Sequence, residues 1–272
     1  MSDNLYKLKP IEGLIQIGSL IKDGPVSQIY SCFFKGDPGI IRIDKSLRQH
    51  FNLNRIQETE ILQLIQDQAY APEILYSKPK GGLLITRLIE GQLLTQQSIR
   101  QADHLVLLAE AMRSIHQLKP SIELTQFNDF ILNYQAELRD LRNSKILSRG
   151  FDLFRELNQD QQSLCFCHND LNHTNVLISN SLKILDWEYS SLNNPYFDLS
   201  TVIEFHNLNE GEVELFLSHY VQGLAPIDHK LLQSWQLMSQ YINMFWLMIL
   251  QKYDTISDNE KSWMNDLEKR LS

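Results

Sequence analysis

The segment from Cys167 to Glu188 constrains this chain more than any other. It reads His168-x-Asp170, four residues, Asn175, the apolar run Val176-Leu177-Ile178, a Ser179-Asn180-Ser181 turn, the apolar run Leu182-Lys183-Ile184-Leu185, and then Asp186-Trp187-Glu188. Two short apolar runs around a turn predict a β-hairpin. Such a hairpin holds Asn175 and Asp186 at neighbouring ends of paired strands and leaves Asp170 on the loop before them. Three oxygen-bearing side chains then converge on one small volume. That set suits Mg²⁺, which takes oxygen ligands and is held by one or two carboxylates plus substrate phosphates. Phosphoryl transfer needs such a cation to neutralise charge, and a carboxylate to receive the proton of the attacking hydroxyl.

The rest of the chain supplies a frame. Up to about residue 86 it reads as strand-rich: Leu14–Ile17 and Ile29–Phe34 around Asp23-Gly24-Pro25, then Ile40–Ile43, a helix over Asn54–Gln68, and two strands at Ile74–Tyr76 and Leu83–Thr86. From residue 87 the texture is helical, over 98–119, Phe127–Leu141, and Tyr196 onward, with a long apolar helix around Trp235–Tyr253 and an amphipathic tail from Asp258. The expectation is an α+β chain with a small β-rich N-lobe, 1–86, carrying the nucleotide side, and a larger α-rich C-lobe, 87–272, carrying the catalytic loop and the acceptor site.

Composition narrows the partners. Lys and Arg total 25 against 33 Asp and Glu, a net charge of −8, which argues against a general nucleic-acid binder. Tyr241–Leu250, the most apolar stretch, is about half the roughly 20 residues a membrane span needs. Met1-Ser2-Asp3-Asn4 lacks a basic-then-apolar signal pattern. Cys32, Cys165 and Cys167 are too few for a disulfide framework, so a reduced, cytoplasmic setting is expected. Cys-Phe-Cys-His at 165–168 lacks the paired spacings of a zinc site and reads as alternating residues of a buried strand. Oligomeric state is not legible.

The loop spacing matches the protein-kinase catalytic loop, in which the Asp is the base and the Asn a metal ligand. Taken further, His168-Asn169-Asp170 through Asn175, Asp186-Trp187-Glu188-Tyr189-Ser190, and Asn193-Asn194-Pro195-Tyr196-Phe197-Asp198-Leu199 resemble the choline/ethanolamine kinase and thiamine kinase branch of the aminoglycoside-phosphotransferase superfamily. The specific part covers Cys167–Leu199. The resemblance implies a protein-kinase-like fold using ATP and Mg²⁺ to phosphorylate a small alcohol. It makes Asp170 the base, Asn175 and Asp186 the metal ligands, and Glu188 a group near the second metal or the substrate entrance. His168 braces the loop and Asp198 anchors it.

On the nucleotide side the resemblance is looser. Gly24-Pro25-Val26-Ser27-Gln28 stands for the phosphate-binding turn, with Pro25 and Gln28 departing from the family's glycine and asparagine. Ser27 is its remaining donor, since Pro25 offers no N–H. Arg42 takes the place of the strand lysine, with Glu58 as its partner and Glu60 the alternative. The adenine is expected against the Arg87-Leu88-Ile89 backbone, between Ile41 and Ile184. For the acceptor, Trp246 on the 241–249 stretch matches an aromatic wall of choline kinases. Ile249 stands where a second tryptophan is expected, and Tyr196 and Trp235 are candidates to compensate. A quaternary ammonium is recognised by such rings and by carboxylates. Choline or ethanolamine is therefore the first expected substrate, thiamine the second, and an aminoglycoside a weaker third. A silent nucleotide-binding scaffold on the same fold is the rival of a different class.

Overall fold

The structure is a computed structural model and describes residues 5–141, 144–159 and 164–272. In the first part of the chain, strands β1 (Ile15–Asp23), β2 (Ser27–Phe34), β3 (Asp37–Asp44), β4 (Ile74–Lys78) and β5 (Leu83–Arg87) form an antiparallel sheet in the order β1-β2-β3-β5-β4. The period of two divides its faces. Register aligns Tyr30, Ile41 and Ile85 on one face, where all three are buried in a local core. It aligns Ile29, Arg42 and Leu84 on the other, which turns toward the helical part. Helix α1 (Arg55–Leu64) lies between β3 and β4 in sequence. Asn54 starts it by accepting from the Ile56 and Gln57 N–H groups at 3.2 and 3.1 Å, satisfying donors that have no partner inside the helix.

The second part holds β6 (Gln92–Leu93), α2 (Ala102–Gln117), α3 (Phe127–Glu137), α4 (Lys145–Leu157), β7 (Cys165–Cys167), β8 (Val176–Ile178), β9 (Leu182–Ile184), β10 (Ser191–Asn193), α5 (Pro195–His206), α6 (Glu210–Tyr220), α7 (His229–Tyr253) and α8 (Asp258–Leu271). A sheet-bearing N-terminal part and a helical C-terminal part make an α+β, kinase-like architecture. The hairpin is β8–β9, pairing Val176 with Ile184 and Ile178 with Leu182. β7 pairs with β10, bringing the segment before the catalytic-type loop beside the segment after Asp186.

Two elements differ from the sequence reading. Helix α4 lies outside the helices read from the sequence, and it carries Gly150 in its interior, where glycine costs about 1 kcal/mol. Packing explains the glycine: a Cβ there would come within 2.6 Å of Phe245 and 2.7 Å of Tyr241 on α7. Helix α7 begins six residues before Trp235, since Asp228 caps it by accepting from Lys230 and Leu231 N–H. Among the described residues, no helix is long and apolar enough to cross a membrane.

Candidate active site

The loop after β7 is held from behind. Asp198, fully buried near the start of α5, accepts from the N–H groups of His168 (2.9 Å) and Asn169 (2.7 Å) and pairs with His116 Nε2 (3.0 Å). The His168 ring spans the loop. Its Nε2 donates to Leu185 O at 3.0 Å, and its Nδ1 accepts from Asp170 N–H at 3.2 Å. Burial lowers its pKa, so the ring is neutral and its tautomer is defined by these two bonds. Asn169 has a left-handed backbone, φ 65°. Its side chain donates to Tyr189 O and Ser191 Oγ and accepts from Asn193 Nδ2, lacing the loop to the chain after Asp186. Asp186 is also left-handed, φ 61°. Asp and Asn adopt this region more readily than most residues, and strain of this kind collects at functional sites.

Asp170, Asn175 and Asp186 do converge. Asn175 Nδ2 donates to Asp170 Oδ2 (2.7 Å), and Asn172 Nδ2 donates to Asp170 Oδ1 (2.9 Å). Leu185 N–H donates to Asn175 O (2.8 Å), tying the strand end next to Asp186 to Asn175. Across the cleft, Arg42 makes a two-pronged contact with Glu58, Nη1 to Oε1 at 2.6 Å and Nη2 to Oε2 at 2.5 Å, and lies 3.4 Å from Asp186 Oδ1. Glu60 is exposed on the opposite face of α1. Arg55, which the sequence reading overlooked, is the hub of this network. It binds Asp44 through Nε (2.9 Å) and Nη2 (3.0 Å), and through Nη1 it reaches Glu58 (3.1 Å) and Glu188 (2.6 Å). Its three-residue spacing from Glu58 was the available signal.

The electrostatics are those of a site short of positive charge. Burial, then the charge of Asp186, pushes the Asp170 carboxyl up to about 8. Burial and Asp186 likewise push Glu188 up to about 7, although Arg55 and Arg42 oppose the shift. Burial would also raise Glu58, but the two arginines outweigh it and hold that carboxyl below its ordinary value. Five carboxyl groups, those of Asp44, Glu58, Asp170, Asp186 and Glu188, stand against the three guanidiniums of Arg42, Arg48 and Arg55. Asn175 points its Nδ2 at Asp170, so its Oδ1 is directed elsewhere. Oxygen donors in a site with more carboxyls than guanidiniums, Asn175 and Asp186 among them, could hold a hard divalent cation such as Mg²⁺.

A cavity of about 400 Å³ opens beside these residues, between the inner face of the sheet and the β8–β9 hairpin. Ile29, Ile40, Leu84, Leu88, Leu93 and Leu177 give it apolar walls, while Arg42, Asn175 and Asp186 stand at one side. Leu88 is where the sequence reading puts it. Ile184 and Ile41 are not walls: both are fully buried in cores, one strand position away from the residues that face the cavity. Ser27 also lies outside the lining: it opens β2 in register with Asp44 and is buried, whereas Lys22 lines the cavity. The Arg87 and Leu88 N–H groups are taken by Glu73 O and Pro38 O, so the connecting segment offers its next N–H at Ile89.

An aromatic group gathers around Tyr189, which follows Glu188 in the chain. Trp246 is half-buried, donates from Nε1 to Tyr189 Oη (3.2 Å) and packs on Phe51 with centroids 5.7 Å apart. Tyr134 lies beside Tyr189, and both phenols feel the charges of Asp170 and Glu188. Tyr189 was visible inside the Asp186–Ser190 motif, whereas Tyr134 on α3 had no local signal. Tyr196 does not join them: its hydroxyl accepts from Asp228 N–H (2.8 Å) at the start of α7. Trp235 and Ile249 are core residues, fully buried with α3, α4 and α7.

A family model described as choline/ethanolamine kinase matches residues 20–257. The LicA protein of Haemophilus influenzae is 32% identical over 173 residues, 56% of this chain and 49% of that protein, so the match spans about half of that relative's length. Human ethanolamine kinase 2 is 25% identical over 272 residues, covering 86% of this chain and 69% of the relative. Among solved structures, choline kinase LicA from Streptococcus pneumoniae superposes with a TM-score of 0.80 at 22% identity, over 97% of this chain and 96% of that one, which is a likeness of fold.

Proposed function

Because the chain belongs to the choline/ethanolamine kinase family, we propose that it transfers the γ-phosphate of ATP to the hydroxyl of a small cationic alcohol, choline or ethanolamine. The observation that carries this reading is the company Asp170 keeps. It is hydrogen-bonded to Asn175, which lines the apolar-walled cavity together with Asp186 and Arg42. Its charge is also felt by Tyr134 and Tyr189, and Tyr189 accepts a hydrogen bond from Trp246. In this reading the cavity takes the nucleotide, with its base near Leu88 and Ile89 and its phosphates toward Arg42. Glu58 fixes the Arg42 guanidinium so that its charge faces the phosphates. Asn175 and Asp186 hold Mg²⁺, which neutralises charge on the transferred phosphoryl group when bound. Asp170 orients the acceptor hydroxyl and receives its proton. A carboxyl pushed toward neutrality is a stronger base than an ordinary aspartate. Asn172 and Asn175 keep it aimed. The acceptor's cation lies against the Trp246 ring, with Glu188 and Asp170 supplying negative charge.

The names of the relatives support choline and ethanolamine as acceptors, and thiamine remains a comparison compound because it too joins a fixed cation to a primary hydroxyl. The test is acceptor-dependent ADP release at saturating ATP with choline, ethanolamine, thiamine and the neutral isostere of choline in which carbon replaces the charged nitrogen. Turnover with choline or ethanolamine and poor use of the isostere is the expected result. Equal use of the isostere would remove the cation site. Silence across a broad alcohol panel would favour the scaffold.

A further inference from the structure

Behind the catalytic-type loop, on the side away from the cleft, lies a group of donors that the proposed reaction leaves unused. Cys165 and Cys167 project from one face of β7, with their sulfurs 3.6 Å apart. His116 of α2 closes the group: one ring nitrogen and the two sulfurs all lie within 4.8 Å of one another. The neighbour in sequence, His168, is not part of it: its ring spans the loop between Leu185 O and Asp170 N–H, and it is His116 whose nitrogen lies with the two sulfurs. The third donor therefore comes from the packing of α2 on β7, which no local spacing could reveal. We infer that His116, Cys165 and Cys167 form a binding site for a thiophilic d¹⁰ cation such as Zn²⁺.

Geometry and donor chemistry carry the inference. A tetrahedral ion with bonds of about 2.3 Å to sulfur holds two thiolates about 3.8 Å apart. The observed sulfur separation needs little adjustment to reach that value. One imidazole and two thiolates select zinc or cuprous copper over magnesium, so the site is chemically distinct from the oxygen donors at Asn175 and Asp186. Cys167 and His116 are buried and Cys165 is partly exposed, which gives a shielded site with one approachable ligand. A fourth position has two neighbouring candidates, Tyr220 Oη and Asp198 Oδ2, each hydrogen-bonded to His116 at 2.9 and 3.0 Å. Binding exchanges the thiol protons for the metal, and the cation takes over one of the two His116 hydrogen bonds. A disulfide is the poorer use of the pair. Residues two apart on a strand have Cα atoms about 6.6 Å apart, near the upper limit for a bridge.

The experiment uses the full chain, reduced and stripped of metal, with Mg²⁺ in excess to occupy the oxygen donors. Co²⁺ is titrated in while the thiolate-to-cobalt charge-transfer absorption is recorded, and Zn²⁺ is then added to displace it. One equivalent of Co²⁺ should produce the band. Cys165→Ser and Cys167→Ser should lose it, while Cys32→Ser, in the N-terminal sheet, and Asp186→Ala should keep it. Zn²⁺ affinity, read by competition with a chromophoric chelator, should fall in Cys165→Ser by more than the roughly 10- to 100-fold that loss of an outer-shell partner costs. If Cys167→Ser fails to fold, the wild type and the partly exposed Cys165 position still decide. No thiolate band in the wild type, a band that survives in Cys165→Ser, or one that disappears in Cys32→Ser overturns the site.

Discussion

Asp170 holds two properties in tension. Burial and the Asp186 charge favour its protonated form, pushing it up to about 8, whereas a base must give up that proton before it works. A raised carboxyl pKa stabilises the fold fully below the unfolded value near 4. That contribution is lost as pH rises through about 8, because the charged form is disfavoured only in the folded state. Asp170→Asn removes the charge while keeping the shape. In the metal-free protein its melting temperature should exceed that of the wild type at pH 8, and the gap should close by pH 4, as followed by circular dichroism across that range. The same substitution should lower turnover by roughly 10²-fold or more with little change in ATP affinity. A collapse of ATP affinity with turnover preserved would assign Asp170 a different role. Asp186→Ala should abolish turnover and leave the fold intact, and near wild-type activity would exclude Asp186 as a cation holder. At Trp246, loss of a cation–π contact of about 0.5–2 kcal/mol corresponds to roughly 2- to 30-fold weaker acceptor binding. Trp246→Ala should therefore raise KM for the cationic alcohol more than for ATP.

At the scale of elements, the site depends on how α1, β7 and α5 end and begin. Helix α1 carries both Arg55 and Glu58, and its first turn is capped by Asn54. Replacing a capping Asn by Ala costs about 1 kcal/mol. Asn54→Ala should lower stability by about that amount in urea unfolding. Because a frayed first turn loosens Glu58, it should also raise KM for ATP. A stability loss with KM unchanged would mean that Glu58 is held by Arg42 and Arg55 alone. The start of α5 plays the matching part in the other half: Asp198 on its first turn accepts two loop N–H groups, so the helix and the loop cannot shift independently.

Across the whole molecule, Arg42 and Arg55 both join the sheet-bearing part to the helical part, and Arg55 is the more deeply tied of the two. Arg55 connects Asp44 at the end of β3, Glu58 on α1 and Glu188 beyond the β8–β9 hairpin, all of them buried. Removing one partner from a buried ionic network is costly because the remaining charges stay buried, typically about 3–5 kcal/mol. Arg55→Gln should destabilise the protein by about that much in equilibrium unfolding. Arg55→Lys should recover only part of the loss, since a single ammonium cannot reproduce the paired contact with Asp44. A loss under about 1 kcal/mol would show that Asp44 and Glu188 find other partners or protonate without strain.

The local parts of this site were readable from the chain itself. Apolar runs around Ser179-Asn180-Ser181 define the hairpin, and its strand ends bring Asn175 and Asp186 together, because pairing across a tight turn is set by neighbours in sequence. Arg42 and Glu58 are assigned by the family resemblance, with Glu60 as the alternative partner, and it is the two-pronged Arg42–Glu58 contact that separates the two glutamates. What faced a distant element was not legible. Ile40 rather than Ile41 lines the cavity, Tyr196 turns to the start of α7, and Tyr134 reaches Tyr189 from another helix. Arg55 and His116 belong with these, since their partners lie more than a hundred residues away for Glu188 and about fifty for Cys165 and Cys167. Periodicity says which residues share a face; only tertiary packing decides what that face meets.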